Sequence, residues 1–207
     1  MKTDYFEFFI KTYSSNLSND LKFLPMLFAR KLSSLDKAAF STLFDCIKIN
    51  PISNPNLVFA SIYGQFDKLI LLTKQYMKDN EVSPSVFSTS VHNNTIGAFS
   101  LFNKITASYT SVSAGSNTIS TAFCDAVLQL KETDDVLFCY ADCINGEKKS
   151  LSVLLSKKND DNAQKFIFLN SQNDSFSQDE YTDILMFLEN KTNSFNPKFY
   201  SVKRVYD

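Results

Sequence analysis

Apolar residues along this chain recur with two spacings, and the switches between them lay out its elements. Between residues 20 and 48, Leu24, Leu27, Phe28, Leu32 and Leu35 keep near-helical spacing, which predicts one long helix or two short ones, with Pro25 tolerated close to a start. PISNPN at 51–56 ends that pattern, and LVFASIYG predicts a short apolar strand ending at Gly64. A helix follows through Phe66, Leu69, Ile70, Tyr76 and Met77, and SPSVFSTSVHNNTIGAFSL, residues 83–101, reads as the start of another. YTSVSAG at 109–115 predicts a strand that stops in a small-residue turn. Beyond it Ile119, Ala122, Phe123, Ala126, Val127 and Leu130 recur at i, i+3, i+4, the mark of an amphipathic helix. DVLFCYAD at 135–142 is an unbroken apolar run, as in a strand covered on both faces. SLSVLLS and KFIFLN predict further strands, the capping box Ser177-x-x-Glu180 announces a helix from about 178, and KFYSVKRVY predicts a final strand. NDDNAQ at 159–164 and NSQNDSFSQDE at 170–180 read as polar loops.

Helices alternate with strands through about residue 142, so the fold class is α/β, with a mixed sheet that is largely parallel in its first part and antiparallel at one edge. With 207 residues, 44% of them hydrophobic, the chain can bury one substantial core. One domain over residues 1–207 is expected, two small ones being the alternative. Lys and Arg number 21 against 22 Asp and Glu, a net charge of −1, so nothing draws a phosphate backbone and nucleic acid is excluded as a partner. MKTDYFEFFI lacks a cleavage signal, and no later stretch reaches the ~20 apolar residues of a membrane helix, so a soluble, cytoplasmic protein is expected. Cys46, Cys124, Cys139 and Cys143 form no CxxC pair and have no nearby histidines; they read as small core residues, and neither a disulfide framework, a metal site nor a cofactor is expected. With 20 Phe and no Trp, the chain holds either a phenylalanine-rich core or a large apolar surface awaiting a partner.

The strand-to-helix turn at 109–130 is where chemistry is first sought, because the amides and dipole of a helix start favour a thiolate or an oxyanion. The turn reads Ser113-Ala114-Gly115-Ser116-Asn117 and holds no cysteine. Ser116, with Asn117 as the alternative, makes a good helix N-cap. A serine hydrolase would need Ser113 or Ser116 with His92, the one histidine, as base and Asp125 or Asp142 as acid, but there is no GxSxG elbow.

SPSVFSTSVHNNTIGAFSL, followed by YTSVSAGSNTISTAFCDAVLQL and DDVLFCYAD, resembles the ketoacyl-synthase-like N-terminal region of thiolase-fold proteins, and more narrowly the short chain-length factors of bacterial aryl polyene and flexirubin pigment clusters. The resemblance covers roughly residues 25–145. Ser88–Gly97 is its most specific part, and VFASIYG supports it. It implies a thiolase-like fold, here a single half-ketosynthase mixed sheet. Active members carry a cysteine at the strand-to-helix turn and two histidines from the second half of the fold. Ungapped, that cysteine position falls on Ser116, or on Gly115 if the turn shifts by one. His92 precedes the nucleophile strand and so does not replace either histidine; it is expected to be structural, bonding backbone or partner groups.

The resemblance thus implies a non-catalytic subunit that pairs with an active ketosynthase and shapes the tunnel in which a polyene chain grows on an acyl carrier protein. Residues implied at the interface or tunnel are Phe87, His92, Asn93, Ile96, Phe99, Phe102, Tyr109, Ser111 and Ser113, with Leu101 as a further apolar wall. A stand-alone module that binds an acyl chain or a carrier protein is the alternative, alongside the hydrolase.

Overall fold

The computed structural model describes residues 5–17, 20–159, 163–173 and 177–206. The loops read at 159–164 and 170–180 fall partly outside them, at 160–162 and 174–176.

Two helices, α1 (Met26–Ala29) and α2 (Ser34–Ile49), occupy the first helical stretch, so the two-helix alternative holds. Their break is chemical: Ser33 accepts from the Asp36 amide while Asp36 accepts from the Ser33 amide, a capping box that restarts the helix. Then come β2 (Asn56–Ala60), α3 (Phe66–Asp79), the short α4 (Pro84–Phe87), α5 (Asn94–Asn103), β3 (Tyr109–Val112), α6 (Thr118–Gln129) and β4 (Asp135–Ile144). The second half adds β5 (Glu147–Ser156), β6 (Gln164–Asn170), α7 (Glu180–Leu188), β7 (Ser194–Phe195) and β8 (Tyr200–Arg204). β1 (Tyr5–Ser14), which the apolar N-terminal run did not announce, precedes them all.

The eight strands form one mixed sheet in the order β3-β2-β4-β5-β1-β6-β8-β7. β2 pairs in parallel with β3 and with β4, as the alternation of elements predicts. From β4 onward every pairing is antiparallel, so the antiparallel part is a full half of the sheet, not an edge. The switch is made by Asn145-Gly146, both at positive φ, a two-residue hairpin loop that sends β5 straight back along β4.

Alternate residues of the central strands supply two cores. Val58, Val136, Phe138 and Val153 meet α6 and α7 on one face, where Phe8, Phe123, Phe166 and Phe187 interlock. Leu57, Phe59, Leu137 and Cys139 meet α2 and α5 on the other, among Phe40, Phe44 and Phe99. The chain therefore has a phenylalanine-rich core. It also keeps an apolar surface: along α3 only Leu72 is buried, while Leu69 and Met77 are 56% and 80% exposed.

The helix from about 178 is present, but its cap is Asp179, whose carboxylate accepts from the Thr182 amide. Ser177 instead accepts from the Asp179 amide. The expected box fails because Glu180 turns inward, toward the start of another helix.

Candidate functional site

β3 is an edge strand, and the chain leaves it through a turn at Gly115 with φ +59°, entering α6 two residues after Ser116. Ser116 stands exposed on that turn. Neither it nor Asn117 makes the expected capping bond. Thr118 does the local work: its hydroxyl accepts from the Ala114 amide at 2.9 Å and donates to the Gly115 carbonyl at 2.7 Å. The next turn is capped from outside. Glu180, at the start of α7 and 7% exposed, accepts from the Ser120 amide at 3.0 Å, while Tyr200 of β8 donates to the Ser120 carbonyl at 2.7 Å. Burial pushes the Glu180 carboxyl above its ordinary value, against the amides of Ser120 and Ile119, which favour its charged form.

A second turn, Ser61–Gly64 between β2 and α3, faces the first. Asp142, at the end of β4 and 6% exposed, holds it by accepting from Ser61 Oγ at 2.6 Å and from the amides of Ile62 and Tyr63 at 3.1 Å each, with Tyr140 OH donating at 2.8 Å. His92 approaches from the α4–α5 connection, and its Nε2 lies 2.9 Å from the Ser61 carbonyl. A carbonyl only accepts, so Nε2 carries the proton and is spent on this bond. The ring also rests beside Phe59, centroids 5.8 Å apart. His92 is thus a backbone anchor of this turn, as the motif reading expected.

The serine hydrolase is not assembled. Ser113 Oγ donates to the Ile62 carbonyl at 3.2 Å, Asp125 accepts from Gln129, and Asp142 is occupied as described. Among the described residues no hydrogen bond joins Ser113 or Ser116 to His92, or His92 to either aspartate.

Between the two turns lies an open cleft of about 420 Å³, outside the carboxyl ends of β2 and β4, lined by Tyr63, Ser116, Tyr140, Lys149, Glu180 and Tyr181. A neighbouring hollow of about 370 Å³ shares Tyr63, Tyr140 and Lys149 with it. Lys149 Nζ sits 5.6 Å from the Tyr181 ring centroid and 3.9 Å from Glu147. Sequence reasoning missed Lys149, Glu180 and Tyr181 as neighbours of Ser116. The one signal available was Asn145-Gly146, which folds β5 back beside β4 and carries Lys149 to the cleft.

The residues implied at a tunnel or interface divide in two. Ile96 and Phe99 are fully buried, Phe99 against Phe40 and Phe44, so these two are core of this chain and not walls of an outward-facing tunnel. Phe102 is half-buried on Phe28 and Phe44. By contrast Phe87 is 61% and Leu101 81% exposed, and Tyr109 and Asn93 are exposed too. Ser111, on edge strand β3, has an enclosed hydroxyl with no hydrogen-bond partner among the described residues. All four cysteines are free thiols: burial pushes Cys139 up to about 11 and raises Cys46, Cys124 and Cys143 as well. The described residues include no group of His, Cys, Asp and Glu able to hold a metal, and no helix long and apolar enough to cross a membrane.

The fold has known counterparts. Over its whole length the chain is similar to a chain of the ketosynthase ApeO in complex with its chain length factor ApeC from Xenorhabdus doucetiae, at 17% identity and a TM-score of 0.71, covering 99% of this chain and 98% of that one. It is also similar to a beta-ketoacyl synthase from Burkholderia phymatum STM815, at 12% identity and a TM-score of 0.58, and to the ishigamide ketosynthase/chain length factor, at 13% and 0.55. These matches cover 68% and 69% of this chain but 46% and 48% of the other, so the chain spans about half the length of those two relatives. At such identities the likeness is one of fold. No curated protein sequence matches the chain. The sequence model of the beta-ketoacyl synthase N-terminal domain matches residues 10–148, from within β1 to the start of β5, and this chain therefore belongs to the beta-ketoacyl synthase N-terminal domain family.

Proposed function

We propose that this chain, acting as one domain, is a non-catalytic chain-length factor. It pairs with an active ketosynthase and shapes the tunnel in which a polyene acyl chain, of the aryl polyene type, grows on an acyl carrier protein. The observation that carries the reading is the turn after β3: where the resemblance calls for a cysteine, the chain presents Ser116, whose hydroxyl makes no hydrogen bond to His92 or to any acid among the described residues. Condensation needs an acylated thiolate and histidine assistance acting as a unit, and the one histidine is committed to the Ser61 carbonyl. The end-to-end match to a chain from a ketosynthase–chain length factor complex supports the reading, since that chain is of nearly equal length. The exposed apolar side chains of α3, with Phe87 and Leu101, support a chain that works against a partner.

Co-expression with the ketosynthase of the same organism, followed by size-exclusion chromatography and mass analysis of products, tests this. The expected result is a stable one-to-one complex whose product length depends on this chain, and unchanged turnover in a Ser116→Ala variant. A ketosynthase that is soluble alone and makes products of the same length overturns it, as does a stable monomer that binds carrier protein without changing product length.

A further inference from the structure

We propose that Glu180 is a built-in block on the Ser116 turn: its carboxylate occupies the helix-start amides of α6 that an anionic nucleophile or oxyanion at this turn would otherwise draw on. The inference rests on the non-catalytic reading above and deepens it. It begins from where Glu180 comes from. The family match ends at residue 148, whereas Glu180 opens α7, beyond it, and reaches back across the sheet end to the matched part. There its carboxylate takes the amide of Ser120, the third residue of α6, at 3.0 Å.

The turn itself supplies no cap: the Thr118 hydroxyl bonds Ala114 and Gly115, ahead of α6, and the side chain of Asn117 caps nothing, so the start amides of α6 are left to an outside acceptor. Asp179 already caps α7, so Glu180 is not needed for its own helix. On the same residue, Tyr200 donates to the Ser120 carbonyl, so both backbone groups of Ser120 are bonded from the second half of the chain.

The electrostatic consequence is local. A free helix start stabilises a neighbouring thiolate, which is why cysteines there often ionise well below the usual ~8.5. With a carboxylate already on the amides and lining the same cleft as Ser116, a second negative charge meets repulsion in place of attraction. A cysteine at position 116 alone would therefore not be an activated nucleophile. Losing the block requires removing the Glu180 charge as well.

The test uses the full-length chain carrying Ser116→Cys, with and without Glu180→Gln, alkylated with iodoacetamide across pH 5 to 10, the rate at position 116 being read by peptide mass spectrometry. The single variant is expected to titrate at or above ~8.5, and the double variant about one unit lower, with roughly tenfold faster alkylation at pH 7. Gln keeps an oxygen to accept from Ser120; if circular dichroism shows that variant unfolded, Glu180→Met, similar in volume and uncharged, replaces it. A single variant that titrates well below ~8.5 overturns the block, and so does an equal midpoint in the two. Failure of the non-catalytic reading is a separate result: loss of product on Ser116→Ala in the ketosynthase complex defeats that reading whatever the thiol does.

Discussion

A β-carbon added at Gly64 would lie 2.9 Å from His92 Cδ2, and the residue sits at φ +56°, a conformation that L side chains rarely adopt. Gly64→Ala is therefore expected to destabilise the chain by about 1–3 kcal/mol in urea unfolding. Adding His92→Ala should recover the steric part and leave the backbone strain, so a fully additive double variant would contradict the packing described. Glu180 makes a second expectation at this scale. Burial raises its folded-state value above the ordinary 4.5, so the stability it contributes is fully present below 4.5 and is lost as pH rises through the raised value. The groups around it are Tyr200, Asp179, Asp183 and, across the cleft, Lys149. Measured against Glu180→Gln, the wild-type stability should fall over that window and level off above it; a difference flat from pH 4 to 8 would refute the assignment. That His92 bonds backbone was legible in the sequence through the motif it sits in, as the resemblance implied. Glu180 was not, because its partner Ser120 lies sixty positions away and its own surroundings spelled a different motif.

Among the elements, α3 shows where periodicity stops being informative. The spacing of Phe66, Leu69, Ile70 and Tyr76 predicts a helix, and the helix is there, yet only Leu72 of its residues is buried. Spacing reports that a chain can form a one-sided helix; it does not report whether this same chain covers that side. The isolated protein is accordingly expected to self-associate, and a Leu69→Lys, Met77→Lys pair should lower light scattering while shifting unfolding stability by no more than about 0.5 kcal/mol, both side chains being exposed. Strand β4 was legible as buried on both faces from its unbroken apolar run, and α6 from its i, i+3, i+4 positions. The first turn of α6 was misread because a Ser-Asn pair looks like a cap, whereas Thr118 bonds the turn ahead of the helix and a distant acid accepts from the helix amide.

For the whole molecule, the half built of β2, β3 and β4 with their helices was readable because strand-helix-strand units are written in consecutive residues. The other half was not, since its pairings join positions far apart: β1 lies between β5 and β6, and no local pattern states which distant strand will flank it. The register with β5 even slips between Ile10 and Thr12, where Lys11 pairs with Asp135 at 3.3 Å, a kink that blurs the alternation of this strand. That central position of β1 has a consequence for how the chain is made. Tyr5–Ser14 leaves the ribosome ahead of every other strand, but its first neighbour begins at Glu147 and its second at Gln164. Through most of synthesis YFEFFIKTYS travels with both edges unpaired, and the sheet is two separate pieces until this early strand is inserted between β5 and β6. Closing so long a loop costs entropy before any contact repays it, so insertion of β1 should be the slow step of folding and the moment at which a nascent chain most needs protection from its neighbours.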